Sequence, residues 1–439
     1  MKKFVLILGL FINVSYAQEM KRCGMDELNK SLTAKHPDLR LGIRAIGAQA
    51  KRYAGKGDNA QYVIPVVFHV IVNEEQYNRL GGQYGIIDRI SSQLVSINND
   101  FNAENSDSSL IPSCFRDVYA NTGISFRLAH TAPDGRATSG YEISMTGLDG
   151  FDFNGTYGSG ESFSNAKYSA SDGMDAWDPT SYLNVWVINT IYQGGGIAGL
   201  TIPPSYISIA TGIPISELGI IINYATFGVR SSPDQYFIYG LDKGRTLTHE
   251  LGHYFELKHI WGDDDVLCPE DDGGNDDGVE DTPPQQSATL GCPSFPKYDK
   301  CSANKNGIMF MNYMDYTDDE CMCMFSIGQS KVMVATLQAG EESFSLLRHP
   351  FVFEYPGNSV GDLFTISPNP SSGWIYLLFN QPDTQQKQVT ITNDVGQVIT
   401  SFSTTLGYYP VDLSAVSKGL YFVKVYFRDK SMIKRILIN

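Results

Sequence analysis

Hydrophobic and polar positions follow one pattern up to about residue 350 and another beyond it. In the first part, the continuous apolar run Val63–Val72 predicts a buried strand. Over Asp88–Phe101, apolar side chains recur every three or four positions, which predicts an amphipathic helix. Further strands are predicted at Ile124–Ala129, Leu183–Asn189 and Gly219–Ala225. The first part therefore combines helices with a sheet.

Two more helices are predicted in this part. One runs over Gly244–Leu257 with Asp242 as its N-cap, and the other over Ser326–Leu347. Between them, residues 263–281 contain ten carboxylates and no lysine or arginine. Such repulsion would be costly inside a helix or strand, so this segment is predicted to be a loop.

The pattern changes beyond Pro356, where short apolar runs alternate with turn residues. This spacing is typical of a small antiparallel β-sandwich. The part beyond Pro356 contains no histidine or cysteine, so we expect no chemistry in it. The predicted strands are Trp374–Phe379, Val389–Thr392, Val398–Phe402, Leu420–Phe427 and Met432–Ile438.

Composition narrows the class of protein. The 439 residues suffice for two to four domains, and 42% hydrophobic residues exclude a disordered chain. A net charge of −15 argues against nucleic-acid binding, which needs clustered lysine and arginine.

The first 17 residues are typical of a secretory signal rather than a buried strand or a membrane anchor. Lys2 and Lys3 precede the apolar stretch Phe4–Val14, and a small-residue cleavage site ends at Ala17. The stretch has about half of the ~20 residues that a membrane helix needs, and no later segment is long and apolar enough. We therefore expect an exported protein with no membrane span, in a compartment where disulfides persist.

His249, Glu250 and His253 form an HExxH pattern on the predicted helix. Imidazoles four residues apart share one helix face and can bind one cation, while the glutamate can accept a proton from metal-bound water. The chain's composition yields this pattern about 0.004 times by chance. His259 can become a third ligand if the chain turns back near residue 256. Three histidines and a water form an open zinc site of the catalytic kind.

The segment His249–His259 resembles the extended zinc signature of the metzincin metalloproteases, and Asn312–Tyr316 resembles their Met-turn. With His259–Asp263, the loop Asp277–Pro283 and the cysteines, these motifs resemble the pappalysin family over about residues 60–345. The resemblance implies an α+β fold, a metzincin-type domain with a twisted mixed sheet and an active-site helix, followed here by the small antiparallel β-sandwich.

The resemblance also implies roles for individual residues. His249, His253 and His259 would bind zinc, and Glu250 would be general base and acid. Met314 would lie beneath the metal, and Tyr316 would stabilise the tetrahedral intermediate. The family's glycine at the turn is replaced by Glu256, where a left-handed backbone costs a non-glycine residue on the order of 1 kcal/mol.

The implied substrate is a protein or peptide that lies extended along an edge strand at Gly195–Pro203. The acidic residues after the Met-turn would line the pocket for the residue that follows the cleaved bond, and acidic walls favour arginine or lysine there. These residues are Asp318, Asp319 and Glu320.

In pappalysins the acidic loop binds calcium, and the oxygen ligands matching best here are Asp277, Asp281 and Thr282. The alternative is a solvated acidic loop. The family's two disulfides would correspond to Cys268–Cys301 and Cys292–Cys321, which leaves Cys114 and Cys323 as a possible further pair.

Seven cysteines is an odd number, and Cys23 stands apart from the rest. The Arg22-Cys23-Gly24 sequence resembles a cysteine switch, in which a pro-segment thiolate occupies the open position of zinc. Removal of the pro-segment would then activate the enzyme. A stray thiol or an intermolecular disulfide is the alternative. Candidate cleavage points are Arg40, Arg44, Lys51, Arg52 and Lys56.

The tail resembles the C-terminal sorting domain of the type IX secretion pathway. The segments that carry this resemblance are SPNPSSG at Ser367–Gly373 and KGLYFVKV at Lys418–Val425. An unrelated carbohydrate-binding sandwich is the alternative. We expect a signal peptide at 1–17, a pro-segment at 18–57, a protease domain at 58–350 and a sorting domain at 358–439.

These features predict a secreted or surface zinc endopeptidase made as a zymogen. A non-catalytic, metal-stabilised surface adhesin is the main alternative, and Glu250 discriminates against it because a binding module needs no carboxylate beside an open zinc site. A zinc hydrolase of non-peptide substrates is a second alternative, disfavoured by the edge strand and the pro-segment.

Overall fold

The structure of the protein is a computed structural model. It describes residues 20–35, 62–154, 164–209, 213–262, 268, 277–302, 306–339, 346, 363–367, 369–371, 373–379, 386–405, 408–428 and 430–438. The predicted signal at 1–17 and the predicted cleavage points between residues 40 and 56 lie outside the described residues.

The chain divides into two compact units. The first comprises Met1–Arg127 and Tyr141–His349, and the second comprises Leu128–Gly140 and Pro350–Asn439. Among the residues that the structure describes, no helix combines the length and the apolar character needed to cross a membrane.

The α-helices described in the first unit are α1 (Met25–Lys35), α2 (Glu74–Arg79), α3 (Gly82–Phe101), α4 (Pro204–Ile209), α5 (Arg245–Tyr254) and α6 (Ile327–Ala339). Its strands are β1 (Met20–Lys21), β2 (Tyr62–Val72), β3 (Ile124–Leu128), β4 (Tyr141–Met145), β5 (Phe151–Asp152), β6 (Leu183–Ile188), β7 (Thr190–Ile191), β8 (Gly196–Ile197), β9 (Gly199–Ile202) and β10 (Gly219–Asn223).

The main sheet has the strand order β3-β2-β6-β10-β9, and β4 also pairs with β2. Strand β2 runs parallel to β4 and β6, and β6 runs parallel to β10. Strand β9 is antiparallel to β10, with Gly219 opposite Ile202. Continuous apolar runs are typical of strands covered on both faces, and β6 and β10 are buried along their whole length. This mixed sheet with helices confirms the predicted α+β class.

Helix α3 begins six residues before the predicted start and packs its apolar side chains into the core, Ile90, Ile97 and Phe101 among them. Its buried polar side chains hold the start of α5. The amide of Gln93 donates to the Gly244 carbonyl at 2.9 Å, and the Ser96 hydroxyl donates to the Lys243 carbonyl at 2.7 Å.

The predicted N-cap of the zinc-site helix is wrong. The N-cap of α5 is Gly244 at φ 76°, with no side-chain cap of its own, and Asp242 pairs with Arg230 at 2.8 Å instead. Asp319, from another part of the chain, binds the start of the helix instead. Its Oδ2 accepts from Lys243 N at 2.9 Å and from Arg245 N at 3.2 Å. Negative charge is favourable at a helix N-terminus.

The structure contains both disulfides implied by the resemblance, Cys268–Cys301 and Cys292–Cys321. The suggested pairing of Cys114 with Cys323 is wrong. Both carry free thiols, with Cys323 buried in the core and Cys114 exposed.

The second unit is built from two antiparallel sheets, of order β11-β12-β15 and β14-β13-β16-β17. The five predicted strands correspond to β12, β13, β14, β16 and β17, while β11 and β15 were not predicted. Alternate side chains such as Leu377, Val389 and Val423 form its core. The strands are β11 (Phe364–Ser367), β12 (Trp374–Phe379), β13 (Lys387–Asn393), β14 (Val398–Thr404), β15 (Tyr408–Asp412), β16 (Gly419–Phe427) and β17 (Lys430–Ile438).

Candidate active site

The three predicted zinc ligands converge on one point. His253 Nε2 lies 3.1 Å from His249 Nε2 and 3.1 Å from His259 Nε2, and all three side chains are buried. His249 Nδ1 contacts the Tyr313 carbonyl at 2.7 Å, and His253 Nδ1 contacts the Leu257 carbonyl at 2.8 Å. A carbonyl oxygen can only accept, so Nδ1 of both rings is protonated and each Nε2 presents a lone pair inward. Such a cluster of lone pairs fits a bound cation.

The turn that returns His259 to the site is a Schellman motif. Glu256 has φ 70°, its N–H donates to the His253 carbonyl at 2.9 Å, and Leu257 N donates to the Gly252 carbonyl at 2.9 Å. Helix α5 therefore ends at Tyr254, three residues earlier than predicted. The reversal brings the third imidazole beside the first two.

The Met-turn lies beneath the histidines. Gly252 lets it approach, because a Cβ there would lie 2.3 Å from Met314 Sδ, and Met314 itself is fully buried. The Tyr316 ring lies edge-on to the His259 ring, with centroids 4.9 Å apart. Trp261 stacks on the His259 ring at 4.4 Å. The three histidines are thus enclosed by an apolar and aromatic layer.

Glu250 lies between the histidines and the edge strand β9. Its Oε2 accepts from the Thr201 hydroxyl at 2.7 Å. A Cβ on Gly199 would lie 2.6 Å from Glu250 Oε1, so the glycine leaves room for the carboxylate. Burial raises the pKa of Glu250 to about 7, against the opposing effects of hydrogen bonds from Thr201 and Cys23. A carboxyl group with such a pKa can both take up and release a proton near neutrality.

The predicted edge strand at Gly195–Pro203 is confirmed, and it consists of the two short strands β8 and β9. The N-terminal segment lies along this edge. Strand β1 pairs in parallel with β8, Ala198 N donates to the Lys21 carbonyl at 2.8 Å, and Gly24 N donates to the Gly199 carbonyl at 2.9 Å. Cys23 is fully buried, and its Sγ and the ring nitrogens of the three histidines all lie within 4.8 Å of one another. The thiol is therefore placed to complete the cation site.

Arg22 enters a buried pocket beside Cys23. Its Nη2 lies 2.7 Å from Asp319 Oδ1 and 3.1 Å from Met322 Sδ. Of the three predicted pocket residues, the structure brings Asp319 to the arginine. Asp318 instead packs against Gly240, where a Cβ would lie 2.8 Å from the Asp318 carboxyl carbon, and Glu320 is exposed.

A buried charge network behind the site was missed by the sequence reasoning. Asp100 on α3 pairs with Arg245 at 2.9 Å and accepts from the hydroxyls of Thr248 at 2.7 Å and Tyr313 at 2.9 Å. Burial raises the pKa of Asp100 to about 6, although these three partners favour the carboxylate. Tyr313 also supplies the carbonyl that orients His249, so the network connects α3, α5 and the Met-turn. No local motif marks residues that are so far apart in sequence.

The predicted calcium ligands lie at the end of the acidic loop, of which residues 263–267 and 269–276 are outside the described residues. Asp277 accepts from the Thr282 hydroxyl at 2.8 Å and from Val279 N at 2.9 Å. Asp281 accepts from Gly328 N at 2.8 Å and the Ser326 hydroxyl at 2.6 Å, at the start of α6.

Two family models match the chain. One, described as pregnancy-associated plasma protein-A of peptidase family M43, matches residues 164–338, and the other, a secretion system C-terminal sorting domain, matches residues 365–439.

Sequence relatives include fungal proteins named extracellular metalloproteases. That of Arthroderma gypseum is 41% identical over 93 residues, or 21% of this chain and 29% of the relative. That of Uncinocarpus reesii is 34% identical over 133 residues, or 26% of this chain and 43% of the relative. The chain thus matches less than half the length of each of these two relatives.

Two solved structures from Tannerella forsythia are similar over nearly their whole length. Mature mirolysin in complex with a cleaved peptide is 33% identical, with a TM-score of 0.58, and the match covers 68% of this chain and 99% of that one. A promirolysin mutant is 31% identical, with a TM-score of 0.64, and the match covers 76% and 99%.

Proposed function

Because the chain belongs to the pappalysin family of metzincin metalloproteases, we propose that it is a zinc-dependent endopeptidase made as a zymogen. The convergence of three histidine Nε2 atoms beside Glu250 supports this most directly. Bound zinc would polarise the scissile carbonyl and lower the pKa of its water. Glu250 would take a proton from the attacking water and deliver it to the leaving amine. Tyr316 would stabilise the negative charge that develops on the substrate.

The substrate of this enzyme would be an extended peptide lying along β9. This strand is paired on one side, with β10, and hydrogen-bonds on its other side to the backbone of the N-terminal segment. The pocket that holds Arg22 would take arginine or lysine after the scissile bond. The carboxylate of Asp319 supports this, because its buried Oδ1 is paired with the Arg22 guanidinium and a cationic side chain in the same position would replace that partner.

Residues 18–57 would act as an inhibitory pro-segment. Cys23 would be the fourth zinc ligand in the zymogen, Arg22 would fill the specificity pocket, and Leu28 and Leu32 anchor α1 in the apolar core. Leucine side chains buried in this way each contribute about 1.5–3 kcal/mol, so the thiol is one of several interactions that hold the segment.

Replacing Cys23 with serine should raise the hydrolysis rate of the uncleaved full chain by about tenfold, which corresponds to the loss of 1.4 kcal/mol of inhibitory binding. The rate is measured on a quenched fluorescent arginine peptide in the first minutes, while a gel shows the chain intact. Cys114→Ser, which changes an exposed free thiol, is the control and should leave the rate unchanged. An unchanged rate in Cys23→Ser would refute the switch.

Calcium is proposed as a second, structural ion at the acidic loop. Asp277 and Thr282 already share a hydrogen bond, and oxygen ligands of this kind suit calcium. Asp281 would connect the ion to the start of α6. The bound ion would offset the repulsion among the loop carboxylates.

Two chelators of different selectivity should distinguish the effects of the two proposed ions. A zinc chelator such as 1,10-phenanthroline should abolish casein hydrolysis by the activated enzyme, and added zinc should restore it. EGTA, which prefers calcium, should instead lower the melting temperature, with recovery on adding calcium but not magnesium. Hydrolysis that continues in excess phenanthroline would exclude the zinc mechanism, and a melting temperature indifferent to EGTA and calcium would exclude the calcium site.

The sorting domain at residues 365–439 and the extracellular relatives identify a secreted protein. We propose that the type IX secretion machinery recognises this domain, after a signal at 1–17 has directed the chain across the inner membrane. The exported enzyme would either be released without this domain or remain at the cell surface.

A further inference from the structure

Glu256 occupies a backbone position that normally favours glycine. Its φ of 70° lies in the left-handed region, which a side chain with a Cβ enters at a cost to the folded state. A residue retained there against this cost should make a compensating contact.

That contact joins the turn to the chain just beyond the edge strand. The Glu256 carboxylate accepts from Ser205 N at 3.1 Å through Oε1 and from the Ser205 hydroxyl at 2.8 Å through Oε2. Ser205 is buried, whereas Glu256 is partly buried. Both oxygens of the side chain are therefore bonded to one residue.

Ser205 lies just beyond the last residue of β9 that pairs with the sheet. The pairing of β9 with β10 ends at Ile202 opposite Gly219, and the next two residues, Pro203 and Pro204, have no backbone N–H. The first donor after the strand is thus the N–H of Ser205, and it is the one that Glu256 accepts.

We propose that Glu256 is a positioning residue that fastens the start of α4, just beyond the end of β9, to the turn that follows the helix α5. Thr201 makes the other side-chain tie, from the strand itself to Glu250. The Thr201 contact holds β9 against α5, and the Glu256 contact holds the chain that continues from β9, so that a peptide paired with β9 lies at a fixed distance from the histidines and Glu250. This role rests on the proposed peptidase function, whereas the contact itself can be tested by stability alone.

The stability test compares Glu256→Gly with Ala103→Gly in the full chain. Ala103 also has a positive φ, of 57°, and no side-chain polar group to lose, so it measures the relief of backbone strain. We expect Ala103→Gly to leave the melting temperature unchanged or raise it, and Glu256→Gly to lower it by several degrees. Ser205→Ala should lower it too, but not in the Glu256→Gly background. A rise for Glu256→Gly, or equal Ser205→Ala shifts in both backgrounds, would overturn the tie.

The kinetic test uses the activated enzyme and a peptide long enough to pair with β9. Glu256→Gly should raise KM about tenfold and change kcat less than about threefold, because uniform binding is lost while the chemistry is retained. Glu256→Gln keeps an acceptor oxygen and should restore most of the affinity. Ser205→Ala should raise KM in the same direction, which keeps the test open if Glu256→Gly does not fold. A loss in kcat with KM unchanged would place the effect at the metal ligands and overturn the positioning role. If no variant or wild type hydrolyses peptides, the proposed function fails, and the melting temperatures still decide whether the tie exists.

Discussion

Replacing Glu250 with glutamine will lower kcat of the activated enzyme by about 10³- to 10⁴-fold, the upper range for loss of a general acid–base. The amide has the same shape as the carboxylate and retains an oxygen that can accept from Thr201, at 2.7 Å in the native protein. It cannot accept a proton from water. The loss should therefore fall on kcat, with little change in KM or in melting temperature.

The measurement is steady-state hydrolysis of an arginine-containing peptide, with the zinc content of each preparation determined. Glu75→Gln is a matched control, since this glutamate is exposed on α2 and pairs with Arg79. It should keep wild-type activity. If Glu250→Gln with a full complement of zinc retained a tenth or more of the wild-type kcat, another group would have to be the base.

Local patterns were enough to predict the elements that carry the proposed catalytic residues. The HExxH spacing placed His249 and His253 on one helix face, and the apolar period and runs located α3, β2, β6 and β10. The edge strand was predicted by resemblance at Gly195–Pro203, and β8 and β9 lie inside these bounds. These features depend on neighbours in sequence, or on a motif that a family shares.

Features set by distant partners could not be predicted. Asp242 was chosen as N-cap because it lies near the start of the helix, but Asp319 performs that role from far along the chain. The pairing of Arg22 with Asp319 has the same origin, as does the separation of Cys114 from Cys323. These contacts join residues that are far apart in sequence, and spacing along the chain does not show which distant residues meet.

The geometry around Glu250 also bears on the rival functions. Gly199 provides the space that its carboxylate needs, and Thr201 bonds to it from the same face of β9, as residues two apart on a strand do. A metal-stabilised adhesin would not need space and a hydrogen bond for a carboxylate beside the histidines. A hydrolase of non-peptide substrates would have no need of a strand that takes up backbone hydrogen bonds from an N-terminal segment. Both arrangements favour a peptidase.

Replacing Asp319 with asparagine will lower kcat/KM for peptides with arginine after the scissile bond by about 10²- to 10³-fold. Truncating a buried charge pair typically costs 2–5 kcal/mol, because the remaining charge is left without a partner. In the zymogen this partner is Arg22, whose side chain is 5% exposed against 0% for Asp319. Asparagine retains an oxygen for Lys243 N and Arg245 N, so the start of α5 should be preserved.

The same pocket predicts which peptides the Asp319→Asn enzyme should still cleave at about the wild-type rate. Peptides with leucine or methionine at that position should lose little or gain in the Asp319→Asn enzyme, since an uncharged side chain no longer leaves Asp319 Oδ1 without a cationic partner. Asp318→Asn and Glu320→Gln are the comparison variants, because Arg22 forms its ion pair with Asp319 and interacts with the Asp318 carboxylate only at longer range, and each should change selectivity less than about threefold. Profiling a peptide library with all four enzymes measures the shift. An equal loss on arginine and leucine peptides would show that Asp319 supports the fold rather than selects the substrate. A change of selectivity in Asp318→Asn as large as that in Asp319→Asn would place the specificity elsewhere in the acidic segment.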